Sequence, residues 1–406
     1  MRRMKAFVVL LAAVGATAAT ATPVAAVDKD DLVDRIVAKA DRDLLEVLVT
    51  TRDKDGAPRF DTVKVPDVPA AKRVVGDMLS RPGVVAVEMN RRVSTAANDP
   101  LFRSQWALDS RHFYFDRVQS VTRSDRARPY IAVVDSGVQG SHPDLSGHVT
   151  GGYDTTGYGS TADDCGHGTH VAGIIAATAN NSRGVAGLAQ RAWIRPVKVL
   201  RWQSGGLLSP SDCYGTSRTV ADGITWAADH AHIISLSLEA ATPSDAERIA
   251  VAYARSRGRA VVAAAGNSGD GQVVYPAGYS SVIGVGAVAN SGSYPHYWTP
   301  ADFSNPGWWV DVAAHGVGIA STVPPRLNRT CETEDEYPSD GSGYCFLSGT
   351  SMATPYVSAT LALAAQHCRW SMATAMSKMM QTASHYPKRY AKVGYGVVNP
   401  LKLLRC

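Results

Sequence analysis

Tyr130-Ile131-Ala132-Val133-Val134-Asp135-Ser136-Gly137 runs apolar for the length of one strand, then stops at a carboxylate, a hydroxyl and a glycine. Similar apolar runs recur at 194–200, 233–238, 260–265 and 282–288, with helical stretches such as 171–179 and 219–230 between them. Near-continuous apolar strands alternating with helices specify an α/β fold, a mostly parallel sheet covered by helices on both faces. In such sheets active residues collect just past the C-terminal ends of the strands. A later stretch, Gly349-Thr350-Ser351-Met352-Ala353-Thr354-Pro355, precedes an apolar run at 356–365 that reads as a helix.

Upstream of this region the texture differs. An alternating strand at 44–51, a helix at 70–79 and a strand at 83–88 make a small, charge-rich α+β unit. Ahead of it, Arg2, Arg3 and Lys5 lead into an apolar stretch at 6–19 and then Val24-Ala25-Ala26. That is the pattern of a secretory leader over 1–26, too short to span a bilayer. An N-terminal anchor is the alternative reading, and export as a soluble protein is the expectation. The chain has 406 residues, 45% hydrophobic and 19% charged, which suits a large core. Its net charge of +5 is spread along the chain, so neither nucleic acid nor an anionic membrane is implied as a partner. Six cysteines in an exported chain point to disulfides. Proximity in the chain suggests Cys331 with Cys345 and Cys368 with Cys406.

The chemistry-bearing residues are individually ambiguous. Asp135, at the end of a strand, suits a metal, a phosphate ligand or an imidazole. In Asp164-Cys165-Gly166-His167-Gly168-Thr169-His170-Val171-Ala172-Gly173, glycines flank His167 and leave its ring little shielded. His167 and His170 lack the HExxH arrangement of a zinc protease. Asn267, in Ala264-Ala265-Gly266-Asn267-Ser268-Gly269, is either a turn residue or an N–H donor to an oxyanion. Ser351 stands where unpaired backbone N–H groups and the positive end of a helix dipole converge. That position suits a helix cap or a nucleophile.

Taken together and in this order, VVDSGV, GHGTHVAG, AAGNSG and GTSMATP resemble the subtilisin-like serine proteases, over residue 97 to the C-terminus. The order Asp, His, Ser is subtilisin's own. By matching motif, the resemblance implies Ser351 as nucleophile, His167 as general base and then acid, and Asp135 as its orienting carboxylate. Asn267 and the Ser351 backbone N–H would make the oxyanion hole. It further implies that 27–97 is a propeptide, which assists folding, inhibits the site and is cut off between Arg92 and Asn98. A permanent accessory domain is the alternative. The catalytic domain is then 98–406, a monomer acting on protein and peptide substrates without a catalytic cofactor.

The resemblance also places substrate-binding residues at Ser237, Leu238, Glu239, Ala265, Gly266 and Val274. Glu239 stands where the family normally has glycine. A carboxylate there either favours basic substrate side chains, narrows the groove, or turns into solvent. Val274 occupies a position at the base of the specificity pocket that is often glycine, and implies a small or medium apolar side chain. Tyr356 replaces the family's usual histidine after Pro355 and should be tolerated on the helix. Asp144 and Asn181, with Gln105, match positions that hold structural calcium in many relatives, and oxygen donors of this kind suit that ion. Asp144 and Asn181 are equally readable as turn residues.

Overall fold

The computed structural model describes residues 28–38, 45–90, 98–109, 111–122, 127–204, 212–292, 297–325 and 342–406. The chain divides into two compact units, Met1–Thr95 and Ala96–Cys406.

The first unit contains α1 (Lys29–Val37), β1 (Glu46–Arg52), β2 (Pro58–Lys64), α2 (Val68–Leu79) and β3 (Val84–Met89). Its sheet is antiparallel, in the order β2-β1-β3. Val47 and Val49 alternate inward to meet Val33 and Val37 of α1 and Ala71 and Val75 of α2. The three elements read from the sequence are present, with their ends shifted by one or two residues. The edge strand β2 was not legible, because nearly all of it is exposed and no apolar alternation marks it.

The second unit runs α3 (Phe115–Val121), β4 (Tyr130–Asp135), β5 (Tyr153–Asp154), α4 (His167–Ala176), β6 (Trp193–Lys198), β7 (Arg201–Gln203), β8 (Asp212–Tyr214) and α5 (Ser217–His230). It continues with β9 (Ile233–Leu236), α6 (Asp245–Ser256), β10 (Ala260–Ala264), β11 (Ile283–Asn290), β12 (Trp298–Pro300), β13 (Val310–His315), β14 (Ile319–Thr322) and β15 (Tyr344–Leu347). The last elements are α7 (Thr350–Cys368), α8 (Met372–Thr382) and α9 (Pro400–Leu403). The main sheet has the order β12-β11-β10-β9-β4-β6-β5, with β13 also on β11. All its pairings are parallel except that of the edge strand β12.

The period-2 side-chain alternation splits β4 between two cores. Ile131 and Val133 join Val171, Ile174 and Ile175 of α4 and Val357 and Leu361 of α7 on one face. Ala132 and Val134 join Val220 and Ile224 of α5 and Val251 of α6 on the other. From β4 the chain goes first to β5 and β6 on one side and later to β9 on the other, so strand order reverses at β4. A crevice at the C-terminal ends of the strands is expected at such a switch point.

Disulfides join Cys165 to Cys213 and Cys368 to Cys406. The second is the pairing expected at the C-terminus. The first was not anticipated. Cys331 lies outside the described residues, as does the stretch 91–97 expected to hold the cleavage point. Among the described residues no helix is long and apolar enough to cross a membrane.

Candidate active site

Asp135 ends β4, His167 opens α4, and Ser351 sits in the first turn of α7. The His167 Nδ1 lies 2.9 and 3.0 Å from the two carboxylate oxygens of Asp135. Asp135 is buried, while the His167 side chain keeps 25% exposure. Burial pushes the His167 ring down, but the charge and hydrogen bond of Asp135, with Asp163 behind, outweigh it and hold the ring above the usual histidine range. The glycine after His167 is compulsory. A Cβ on Gly168 would collide with the Gly137 carbonyl and lie 3.1 Å from the Asp135 Cβ.

Two residues not singled out from the sequence lock this pair. Asp163 is buried and accepts from the Ser136 hydroxyl (2.8 Å), the N–H groups of Cys165 (3.0 Å) and Gly166 (2.8 Å), and both the N–H (2.8 Å) and hydroxyl (2.6 Å) of Thr169. Burial nevertheless pushes its carboxyl above the usual range. Lys198, opposite Asp135 in the β4–β6 register, is buried and donates at 2.6 Å to both the Ser136 carbonyl and Asp164. Asp163, Asp164 and Cys165 bring their ligand atoms close together. Cys165 is nonetheless committed to its disulfide, and Asp163 to its five donors, which leaves no ligand set there.

Ser351 Oγ donates to the Ser237 carbonyl at 3.2 Å, and the Ser237 hydroxyl donates back to the Ser351 carbonyl at 2.8 Å. Among the described residues it makes no hydrogen bond to His167. Such contacts often tighten only when substrate is bound. Asn267 accepts through Oδ1 from the Thr350 N–H (2.8 Å) and hydroxyl (3.0 Å). A backbone N–H can only donate, so the amide orientation is fixed with its NH₂ turned away from Thr350. Asn305, also not foreseen, is fully buried and holds this loop. It accepts from the Gly269 N–H at 2.9 Å and the Ser268 hydroxyl at 3.0 Å, and its own backbone N–H donates to the Gly266 carbonyl at 3.0 Å.

Two segments face each other beside Ser351: 237–240, following β9, and 265–267, following β10. Ala265 accepts from the Trp309 indole at 3.0 Å, and the Gly266 N–H donates to the Thr350 hydroxyl at 3.2 Å. Gly266 has φ +106°, and a Cβ on it would overlap Asn305 and lie 3.1 Å from Val274 Cγ2, which puts buried Val274 against this wall. Leu238 is half-buried and Glu239 is exposed. The Glu239 carboxyl is raised by desolvation, in part offset by a hydrogen bond from the Asn267 backbone and reinforced by Asp270. Tyr356 is buried, its ring 5.0 Å from that of Phe113, so the helix does accommodate it.

The residues named for calcium are only partly brought together. Asp144 is buried; one oxygen accepts from the Asn181 amide at 2.7 Å, the other from the Val185 N–H at 3.1 Å, and Tyr344 adds a side-chain hydrogen bond. The Asn181 oxygen is taken by the Arg183 N–H at 2.9 Å. Gln105 exchanges two hydrogen bonds with the Ala186 backbone, at 2.8 and 2.9 Å. Buried Asp99 joins this cluster, accepting from the Asn180 and Asn181 N–H groups at 2.8 and 3.1 Å, so two carboxylates and an amide oxygen gather on the 180–185 loop while Gln105 is spent on Ala186.

A strand-end carboxylate bonded to a histidine at one helix start, with a serine in the first turn of another helix, is an arrangement of the α/β serine hydrolases. The chain belongs to the subtilases: the family model described as "Subtilase family" matches residues 127–396. It is 42% identical to thermitase from Thermoactinomyces vulgaris over 277 residues, 67% of this chain and 86% of that one. It is 36% identical over 323 residues to a thermophilic serine proteinase from Bacillus sp. (strain AK1), covering 77% and 70% of the two chains. Among solved structures, a protease from Pseudoalteromonas arctica PAMC 21717 superposes with TM-score 0.62 and 28% identity, over 76% of this chain and 99% of that one. Family membership makes the chain a subtilisin-like serine protease.

Proposed function

We propose that the chain is an exported serine endopeptidase, made as a self-processing zymogen and working through Asp135, His167 and Ser351. The observation that carries this reading is the double contact of His167 Nδ1 with buried Asp135. It fixes the tautomer that leaves Nε2 free to accept a proton. Ser351 Oγ attacks the scissile carbonyl as His167 takes its proton, and the imidazolium so formed is stabilised by Asp135. The tetrahedral oxyanion is met by the Asn267 NH₂, whose direction Thr350 fixes, and by the Ser351 N–H at the start of α7. His167 then protonates the leaving amine, and water repeats the sequence on the acyl-enzyme. In this reading the unit 27–97 is the propeptide and inhibitor, 1–26 is the leader, and the mature enzyme is a monomer. A structural calcium ion held by Asp144 and Asn181 belongs to this reading, so chelation by EDTA should lower the unfolding temperature by several degrees. An unfolding temperature that moves with neither EDTA nor added calcium would remove the ion from it.

The test is the intact mass of the exported protein beside a Ser351→Ala version, with fluorophosphonate labelling of both. Loss of the 27–97 segment and labelling in the wild type alone support the reading. An unlabelled wild type overturns it. Asn267→Ala should keep measurable activity with kcat down about 10²–10³-fold, a magnitude that is subtilisin's own.

A further inference from the structure

Resting on that proteolytic reading, we propose that Glu239, backed by Asp270, makes the enzyme select substrates with a cationic lysine or arginine side chain at the residue whose carbonyl is attacked. The segment carrying Glu239 is clamped at both ends. Two residues before it, Ser237 exchanges hydrogen bonds with Ser351, at 2.8 and 3.2 Å. One residue after it, Ala240 exchanges both backbone hydrogen bonds with Tyr275, at 2.8 and 2.9 Å. Glu239 is therefore held between the nucleophile and the Val274–Tyr275 turn, at the mouth of the cleft facing 265–267. Its carboxylate reaches across to the Asn267 backbone on the opposite wall.

The charge there is uncompensated. Neither Glu239 nor Asp270 has an ion-pair partner among the described residues. Asp270 is fixed on the facing loop, accepting from the Gln272 N–H at 3.0 Å and sharing the single Ser268 hydroxyl hydrogen with Asn305. Buried, apolar Val274 fills the base beside Gly266 and offers no polar partner. Because Val274 shortens the base and admits only a small apolar group there, a long side chain lays its stem along apolar surface and keeps its head at the mouth, beside Glu239 and Asp270. Lysine and arginine have that construction, an apolar stem with a charged head. A substrate cation would replace the Asn267 N–H as the partner of Glu239, or share it. An acidic side chain at the same place would face two like charges.

Peptides identical except for Lys, Arg, Gln, Leu or Glu at the cut test this. The readout is the ratio of kcat/KM for Lys over Gln, measured on one enzyme sample so that any misfolded fraction cancels. The wild type should favour Lys by tenfold or more and reject Glu. Glu239→Gln keeps the size and the acceptor for the Asn267 N–H but removes the charge, and should lower the ratio about tenfold. Asp270→Asn, on an exposed loop, should lower it two- to threefold and covers the case in which Glu239→Gln fails to fold. The wild-type ratio should also shrink at high salt, as for any partly exposed pair. A wild-type ratio near one, or a ratio unmoved in Glu239→Gln, overturns the proposal. Fluorophosphonate labelling of Ser351 in the same samples keeps that failure distinct from the absence of protease activity.

Discussion

Asp163 shows how one buried carboxylate can hold a site it does not itself form. Its five donors come from the turn after β4 and from the turn that opens α4, so it fixes Asp135 and His167 relative to each other. Ser136 completes the link, donating to Asp163 and accepting from the Gly168 N–H at 2.9 Å. Replacing Asp163 by alanine leaves buried N–H and O–H groups without acceptors, at about 1–3 kcal/mol for each group that water cannot reach. Asp163→Ala is therefore expected to lose on the order of 3 kcal/mol in urea unfolding. A loss under about 1 kcal/mol would mean that water satisfies those donors. Asn305 acts in the same way under the 266–272 loop, where its side chain and backbone take up Gly266, Ser268 and Gly269. Asn305→Ala should lower kcat through a misplaced Asn267 more than it raises KM.

The hairpin β7–β8 follows directly on β6, and its second strand is tied by Cys213 to Cys165, two residues ahead of His167. The bridged residues are 48 apart, and cross-linking a loop of that length removes about 4 kcal/mol of unfolded-chain entropy. Cys165→Ser with Cys213→Ser should lower stability by about 2–4 kcal/mol, checked by urea unfolding. A difference within error would mean that hairpin contacts alone hold the loop. Such elements also mark the limit of what the sequence discloses. The strands of the parallel sheet were legible because burial on both faces demands unbroken apolar runs, as in Val133-Val134 and Val261-Val262. The four motifs were legible because glycines are forced wherever backbone meets backbone, as at Gly168 against Gly137. The Cys165–Cys213 pairing was not, since it depends on where a short hairpin returns and not on any local pattern. Asp163, Lys198 and Asn305 were missed for a related reason. Each looks like an ordinary surface residue until the fold encloses it.

The whole molecule buries several histidines in neutral form, and this sets how it responds to acid. Burial pushes His142, His148, His170, His232 and His315 below the ordinary value, His170 to about 3, with His167 also repelling His170, Arg259 repelling His232 and His112 repelling His315. Both ring nitrogens of His315 lack hydrogen-bond partners, and its ring is wedged among Trp106, His112 and Phe113 at centroid distances of 4.7, 4.9 and 4.4 Å. In the unfolded chain a histidine takes up its proton near pH 6.5. Below that pH the unfolded state binds more protons than the folded one, so stability is complete above about pH 6.5 and is lost as pH falls. Each such histidine contributes up to about 1.4 kcal/mol per pH unit until its folded-state value is reached. His167, held above its ordinary value, acts in the opposite sense, as do Asp163, Glu239, Glu247 and Asp311, whose carboxyls burial raises. Between pH 7.5 and 5.5 the lowered histidines outnumber the one raised histidine, and urea unfolding of the Ser351→Ala protein, which cannot digest itself, should show a falling midpoint. His315→Phe fills the same aromatic slot without a titrating group and should flatten that fall by up to one proton's worth. An unchanged slope in His315→Phe would mean that His315 finds a way to carry its proton in the folded state, and that the acid sensitivity belongs to the other four.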